Sequence, residues 1–185
     1  MATAWAQPDP PTEREPVYQF YSTVFGTSVK KSGGLTGQVF ELKPGTRRLP
    51  KFQKKTPVAT VYTSSLNVPL QEFTTGFPGV PNRFEWFAIN YTGSIWISKP
   101  GQYRFELQSD DGSMLYLDDH LIVDNDGVHP VLTRGGMVNL KEGAHRIRIA
   151  YFQGPRFHLA LRLQVAGPGE DLHVFNMDHF PPQRQ

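Results

Sequence analysis

The residues best suited to chemistry form an acidic run near the middle of the chain. Residues 106–126 hold seven carboxylates and no lysine or arginine, namely Glu106, Asp110, Asp111, Asp118, Asp119, Asp124 and Asp126. Carboxylates this close in sequence repel one another unless solvent or a cation lies between them. The adjacent pair Asp110-Asp111, followed by Gly112-Ser113, is the best candidate for a metal site, because calcium prefers oxygen ligands.

The backbone decides whether Asp110 and Asp111 can act together. Neighbouring side chains of an extended chain point to opposite faces, so a trans peptide bond would separate the two carboxylates. A cis bond would turn both to one side, where a single cation could bind them. The alternative is a turn in which the carboxylates accept hydrogen bonds from local backbone amides. Both interpretations remain open at this point.

Other motifs favour a domain without catalysis. Asp124-Asn125-Asp126-Gly127 is similar to a fragment of a calcium loop, but it lacks the later glycine and glutamate, and we interpret it as a turn. The sequence has no G-x-S-x-G, H-E-x-x-H or phosphate-loop motif, and no cysteine for a thiol nucleophile or disulfide. Adjacent aspartates do not match the carboxylate spacing of a glycosidase, about 5–9.5 Å. We therefore predict that the protein is not an enzyme.

A basic stretch precedes the acidic run. Residues 30–55 contain eight basic residues and one acid, Glu41; the basic residues are Lys30, Lys31, Lys43, Arg47, Arg48, Lys51, Lys54 and Lys55. Such a stretch is either a binding surface for a polyanion or a solvated loop region. Because it lacks regularly interleaved aromatic residues, we do not expect it to bind nucleic acid.

Composition and periodicity predict the framework that positions these residues. The chain has 185 residues, 38% hydrophobic and 19% charged, which is typical of one folded domain rather than a disordered chain. The 17 glycines and 16 prolines leave little room for long helices. No stretch approaches the roughly 18 apolar residues that cross a bilayer, so we do not expect membrane insertion.

Short alternating segments predict an all-β antiparallel sandwich or barrel. The expected strands are residues 17–21, 38–42, 58–62, 84–91, 94–97, 101–108, 114–117, 121–123, 136–140, 143–152 and 157–165. The residues expected to face a shared core are Tyr103, Phe105, Leu107, Leu115, Leu117, Ile147, Ile149, Leu159, Leu161 and Leu163. We predict a flexible leader at residues 1–16, a sandwich domain at residues 17–166 and a C-terminal tail at residues 167–185, docked loosely across the sheet.

The segment from Gly101 to Asp118, GQYRFELQSDDGSMLYLD, resembles the core of the protective-antigen domain family, a β-sandwich module named after the anthrax toxin component. Residues 121–129 and 140–152 agree with that family in order and spacing. Residues 77–79 and 83–87 are similar to the strand that precedes this core. The resemblance spans about residues 17–165, and Ser-Asp-Asp-Gly-Ser is its most specific part.

This resemblance implies a twisted antiparallel β-sandwich of secreted and cell-surface proteins, found in glycosidases, adhesins, toxins and yeast flocculins and often acting as a carbohydrate-binding module. In the sugar-binding members the Asp-Asp peptide bond is cis and the pair holds a calcium ion that contacts sugar hydroxyls. That role carries over to Asp110 and Asp111. Family members complete the site from a longer loop that provides an Asn side chain. Here the loop is Gln153-Gly154-Pro155-Arg156, which provides Gln153 and backbone carbonyls, or else the charge of Arg156 in place of the ion.

The expected function is that of a non-catalytic, exported carbohydrate-binding module, secreted or on the cell surface. It would bind a glycan or polysaccharide through calcium on Asp110 and Asp111, with Gln153 and Arg156 as further ligand-binding residues. Ala4-Trp5-Ala6 has the form of a signal-peptidase site, although an unrelated alanine-rich start remains the alternative. The alternative function is a structural or adhesion module without a sugar or calcium site, in which Arg156 or backbone amides hold the Asp pair.

Overall fold

Two antiparallel sheets make up most of the protein, and they confirm the predicted all-β sandwich. The computed structural model describes residues 34–72, 76–80, 85–155 and 158–181. The strands are β1 (Leu35–Glu41), β2 (Ala59–Thr63), β3 (Asn67–Glu72), β4 (Phe87–Ile97), β5 (Gly101–Asp110), β6 (Ser113–Leu117), β7 (His120–Asn125), β8 (Leu132–Leu140), β9 (Gly143–Gln153), β10 (His158–Ala166) and β11 (His173–Val174). Short 3-10 turns cover Phe52–Lys54 and Met177–His179. Within these described ranges, no helix has the length and hydrophobicity to span a bilayer.

The alternation of side chains along the strands decides which face of each sheet is buried. The first sheet has six strands in the order β2-β1-β4-β9-β6-β7, and the second has five, with the order β11-β10-β5-β8 and β3 paired to β10. All ten residues predicted to face a shared core lie in one buried cluster between the sheets, which confirms that prediction. In each of their strands the alternate residues point outward, as the period of two requires.

Two strand predictions differ from the structure. The segments predicted at residues 84–91 and 94–97 form one strand, β4, because Gly93 stays in the ladder opposite Ile147. Strand β3 was not predicted, since it contains Pro69, which cannot donate to a ladder. It pairs with β10 alone among the described strands, so Pro69 lies on an edge strand, where proline is tolerated. The segments predicted at residues 1–16 and 17–21 lie outside the described residues.

The segment after residue 166 is more closely integrated than the loosely docked tail that we expected. Strand β11 pairs with β10, and Phe175, Met177 and Phe180 belong to the main buried cluster. The rings of Phe175 and Phe180 stack with their centroids 5.5 Å apart. These three large apolar side chains close one side of the sandwich.

The acidic run is divided between different parts of the fold, and most of it has cationic partners. Asp118 and Asp119 form the two-residue turn between β6 and β7, with φ values of 48° and 66°. Asp118 accepts hydrogen bonds from the His145 ring (2.6 Å) and the Arg146 amide (2.8 Å). The remaining ion pairs of the run are Asp119 with Arg146, Glu106 with Arg104 and Asp126 with Arg48. Within the described residues, the Asp110–Asp111 pair has no such arginine or lysine.

His145 and Asp118 form a pH-sensitive ion pair at the end of the sandwich opposite to Asp110. One ring nitrogen of His145 lies 2.6 Å from Asp118 Oδ2 and the other lies 2.9 Å from the Lys141 carbonyl, so the protonated ring can donate to both oxygens. Partial burial lowers the pKa of His145, but these hydrogen bonds and the Asp118 charge outweigh it and raise the pKa overall. A raised histidine pKa stabilises the folded state below the unfolded value, about 6.5, and that contribution is lost as the pH rises through the folded value.

We therefore expect the His145→Gln variant to be less stable than the wild type at pH 5.5, by about 0.5–1 kcal/mol, and equally stable above pH 8. Urea denaturation between pH 5 and pH 8.5 measures this difference. His120→Gln, which removes an exposed histidine beside the same turn, is the control. An unchanged pH profile in His145→Gln, or the same change in His120→Gln, would contradict the assignment.

Candidate functional site

Three connections between the two sheets meet at one end of the sandwich and form the candidate site. Asp111 and Gly112 connect β5 in the second sheet to β6 in the first. Residues 126–131 connect β7 to β8, and residues 154–157 connect β9 to β10; both connections also pass from the first sheet to the second. Residues that are distant in sequence are therefore neighbours at this end.

Asp110 and Asp111 lie at the centre of this end, and the predicted cis peptide bond between them is present. Both are buried, with 9% of Asp110 and 3% of Asp111 exposed. Asp111 Oδ1 accepts a hydrogen bond from the His129 amide at 3.2 Å, and its Oδ2 accepts one from the Gly154 amide at 2.7 Å. The Asp110 carboxylate accepts one from the Val131 amide. Each carboxylate is thus held by a backbone amide from a neighbouring connection.

The electrostatics of the pair favour a positive charge between the carboxylates. Burial, followed by the charge of Asp111, raises the pKa of Asp110 to about 6, although His158, His129 and the Val131 amide oppose this rise. Burial also raises the pKa of Asp111 despite the amide hydrogen bonds from Gly154 and His129. Two carboxylates whose ionised forms are both disfavoured gain stability from a cation, which removes the repulsion and replaces lost hydration.

Gln153 lies beside the pair and is fully buried. Its Nε2 faces three oxygens, Asp111 Oδ2 at 3.5 Å, the Pro155 carbonyl at 3.2 Å and the His158 carbonyl at 3.0 Å. The Tyr151 hydroxyl lies within hydrogen-bond distance of both Gln153 Oε1 (2.5 Å) and the Asp110 carbonyl (2.8 Å). The Gln153 amide nitrogen therefore occupies an oxygen-rich position, where positive charge is stabilised.

A buried polar cluster supports the connection at Asp110–Gly112 from below. Ser109 and Ser113 share a hydrogen bond of 2.6 Å, and Asn125 Nδ2 donates to Ser109 at 3.0 Å. Gly112 is packed so closely that a Cβ atom there would lie 2.4 Å from the Phe152 ring and 2.7 Å from the Gly127 amide. Glycine is the residue that fits this connection.

The donors present fit a calcium ion. Calcium takes six to eight oxygen ligands from carboxylates, amide and backbone carbonyls and water. Asp110 and Asp111 provide two carboxylates, and the carbonyls of Pro155 and His158 face the place where Gln153 Nε2 lies, whereas Gln153 Oε1 accepts a hydrogen bond from Tyr151. Among the described residues, no group of three or more histidine, aspartate or glutamate side chains could hold a metal. A cation at this place would therefore depend on neutral oxygens as well as on the Asp pair.

The structure brings together three of the four predicted site residues, Asp110, Asp111 and Gln153. Arg156 lies outside the described residues, so its role stays a prediction. Sequence reasoning did not assign a role to the amides of His129, Val131 and Gly154. They act through the backbone, and residue type carries no signal for such a role. At Gly154 the absence of a side chain also matters, because a Cβ atom there would lie 3.0 Å from Asp111 Oδ2.

A family model, the PA14 domain, matches residues 50–173. The chain belongs to the PA14 domain family. This confirms the resemblance predicted from the segment around Ser-Asp-Asp-Gly-Ser, since PA14 is the domain named after protective antigen. Among curated proteins, no sequence gives a significant match.

Solved structures show the same fold as this PA14 domain. The PA14 sugar-binding domain from an RTX adhesin is 18% identical and superposes with a TM-score of 0.68, over 83% of this chain and 100% of the adhesin domain. The PA14 domain of the MpAFP antifreeze protein is 17% identical, with a TM-score of 0.67 over 83% of this chain and 93% of that one. The epithelial adhesin 9 A domain from Candida glabrata, in complex with Galb1-3GlcNAc, is 12% identical, with a TM-score of 0.57 over 80% and 88%. At these identities the likeness shows the fold.

The two tyrosines of this PA14 domain that are fully buried, Tyr91 and Tyr151, provide a matched test of the hydrogen bonds around the Asp pair. Tyr151 donates to this site, whereas the Tyr91 hydroxyl is buried without a hydrogen-bond partner among the described residues. We expect Tyr151→Phe to cost about 1–2 kcal/mol, because it leaves buried acceptors without a donor. Tyr91→Phe should be neutral or slightly stabilising, because it removes an unsatisfied hydroxyl. Urea denaturation of both variants measures the difference, and equal losses would contradict the assignment.

Proposed function

We propose that this PA14 domain is a non-catalytic carbohydrate-binding module that binds a glycan through calcium held by Asp110 and Asp111. The observation that carries the proposal is the burial of two adjacent carboxylates on one side of the chain, beside the oxygen-rich position of Gln153 Nε2. Such an arrangement is costly for the calcium-free protein and favourable for a hard cation.

The residues of the site have distinct roles in this proposal. The carboxylates of Asp110 and Asp111 supply the charge, and the carbonyls of Pro155 and His158 supply neutral oxygens. Gln153 would add a further oxygen by turning its amide, whose Nε2 faces these oxygens and whose Oε1 accepts from Tyr151 in the calcium-free protein. A bound calcium ion would neutralise the pair and coordinate sugar hydroxyls. The amides of His129, Val131 and Gly154 orient the carboxylates, which lowers the entropic cost of forming the site. Gln153 and Arg156 were the predicted ligand-binding residues, and of these Gln153 has the supporting contacts.

The family and its solved relatives support glycan binding as the general function. Among the similar structures, one is named as a sugar-binding domain of an adhesin and another is an adhesin domain in complex with a disaccharide. Adhesins act at cell surfaces, so we infer that this domain is secreted or displayed at the cell surface. The carboxylates of the Asp pair are adjacent in the chain, and Asp111 is held by two backbone amides. They are not placed on opposite sides of a substrate, as the two carboxylates that cleave a glycosidic bond are. We infer from this that the domain does not catalyse a reaction.

A second candidate function is a structural or adhesion module without calcium. The observation in its favour is that backbone amides already hold both carboxylates, the arrangement that this alternative requires. In that case Arg156→Ala would destabilise the protein if the arginine neutralises the pair, and calcium would have no effect. The two candidates therefore differ in their response to calcium.

We expect calcium to stabilise the wild type, because it binds the folded state better than the unfolded chain. At a hundredfold excess over Kd the gain is about 2.7 kcal/mol, which corresponds to a rise in Tm of roughly 5–10 °C for a domain of this size. Asp111→Asn should lose most of this gain, since it removes one charge while keeping the shape. Thermal unfolding with calcium and with a chelator measures both effects.

Asp171→Asn is the matched control, because it removes one exposed carboxylate elsewhere on the surface. It should respond to calcium as the wild type does. A glycan array with calcium and with chelator then tests sugar binding, which should require calcium and Asp111. An unchanged melting curve of the wild type with chelator, together with no glycan bound, would contradict the proposal.

A further inference from the structure

A strongly basic loop lies next to the candidate site. Residues 43–55, which we call the basic loop, carry six lysines and arginines and no acid: Lys43, Arg47, Arg48, Lys51, Lys54 and Lys55. All six side chains are exposed. Within the part of the chain that the structure describes, two have polar partners: Arg48 lies 3.6 Å from Asp126, and Lys55 donates to the Glu41 carbonyl at 3.1 Å. A concentration of like charge in 13 residues creates a positive potential that attracts anionic ligands.

The basic loop is fixed to the sandwich by its own apolar cluster. Its side chains Leu49 and Phe52, together with Trp86, pack against Leu42, Ala88 and Phe152 on the outer face of the first sheet. The Phe52 ring lies 5.1 Å from the ring of Phe40, centroid to centroid. A loop whose apolar residues are anchored in this way presents its charges at a defined place, unlike a freely solvated loop.

Two sets of backbone contacts connect the basic loop to the residues that hold Asp111. On one side, the Leu49 amide donates to Asp126 at 2.9 Å, and Asp126 belongs to the connection whose His129 amide binds Asp111. On the other side, the Leu42 amide donates to the Trp86 carbonyl (2.7 Å) and the Trp86 amide to the Gly154 carbonyl (3.3 Å). Gly154 is itself a donor to Asp111. The basic loop therefore borders the site through both of its flanking connections.

We propose that the basic loop is part of the glycan site and that the ligand is an anionic glycan whose sugars carry carboxylates. The inference rests on the proposed function and adds the class of ligand. A carboxylate sugar would be repelled by Asp110 and Asp111 alone, whereas a calcium ion there attracts it. Further along the glycan, the exposed lysines and arginines of the basic loop attract the next carboxylates.

The same features disfavour a nucleic acid as the ligand. The aromatic residue of the basic loop, Phe52, is packed against Phe40 and the cluster of Leu42, Ala88 and Phe152, and is not presented for base stacking. A uronate glycan, with hydroxyls for calcium and carboxylates for lysine, fits both halves of the surface.

The test compares charged and neutral forms of the same sugars. Tetramers of galacturonate, glucuronate, mannuronate and guluronate, and the methyl ester of each, are titrated calorimetrically into the protein with calcium. The tetramers are short enough to limit the calcium-induced gelation of the polymers. The variant Lys51→Gln/Lys54→Gln removes two charges from the basic loop. Its matched control is Lys99→Gln/Lys141→Gln, which removes two exposed charges at the opposite end of the sandwich.

We expect at least one uronate tetramer to bind more tightly than its methyl ester. The Lys51→Gln/Lys54→Gln variant should bind the uronate tetramer about five- to tenfold more weakly than the wild type does, while its affinity for the methyl ester stays unchanged. The control variant should bind both forms as the wild type does. The preference for the charged form should decrease between 50 and 500 mM salt, because exposed charges are screened.

Several outcomes would overturn the inference. If a neutral glycan binds with calcium and no uronate tetramer is preferred over its ester, the proposed function stands and the basic loop has no part in it. If the control variant loses as much affinity as the loop variant, the effect is one of net charge. Equal binding of a single-stranded oligonucleotide would indicate an unspecific polyanion surface. If neither neutral nor charged glycans bind, the proposed function itself is wrong.

Discussion

The burial of two adjacent carboxylates where the chain crosses between its sheets is the constraint on which this end of the domain depends. Strand β5 ends at Asp110 and β6 begins at Ser113 in the other sheet, so Asp111 and Gly112 bridge a layer spacing of about 10 Å. A carboxylate removed from water requires hydrogen bonds or a cation. The amides of His129 and Gly154 meet this requirement for Asp111, and each belongs to another crossing. The three connections therefore hold one another in place.

The interior of the sandwich changes from apolar to polar towards the end that holds Asp110 and Asp111. Along β5 the inward positions Phe105 and Leu107 are apolar, and Ser109, the next inward residue, is polar. Ser113 in β6 and Asn125 in β7 are paired in the first sheet, and both make hydrogen bonds across to Ser109 in β5 of the second sheet. Polar groups in a core cost stability unless they are paired, so their concentration beneath Asp110 and Asp111 marks the end of the sandwich that is adapted to a polar ligand.

The surface around the Asp pair combines opposite charges at short range. The pair itself is acidic and lacks a lysine or arginine partner within the described residues, while the adjacent basic loop carries six cations. These charges are kept apart by the apolar cluster around Phe52 and by the tie between Leu49 and Asp126. A surface of this kind selects ligands by arrangement more than by net charge, which is close to neutral for the whole chain at +2.

The sequence by itself determined the fold class, most of the strands and the central pair of the site. Alternation along β5, β9 and β10 is strong because one face of each strand is buried, and the family resemblance pointed to Asp110 and Asp111. Tertiary structure alone decided which groups hold that pair, because the amides of His129, Val131 and Gly154 are brought there by sheet topology and backbone groups carry no residue-type signal. It also decided that Phe175 and Phe180 enter the core, and that the basic loop borders the acidic pair. Each of these depends on contacts between segments far apart in sequence, which local patterns do not encode.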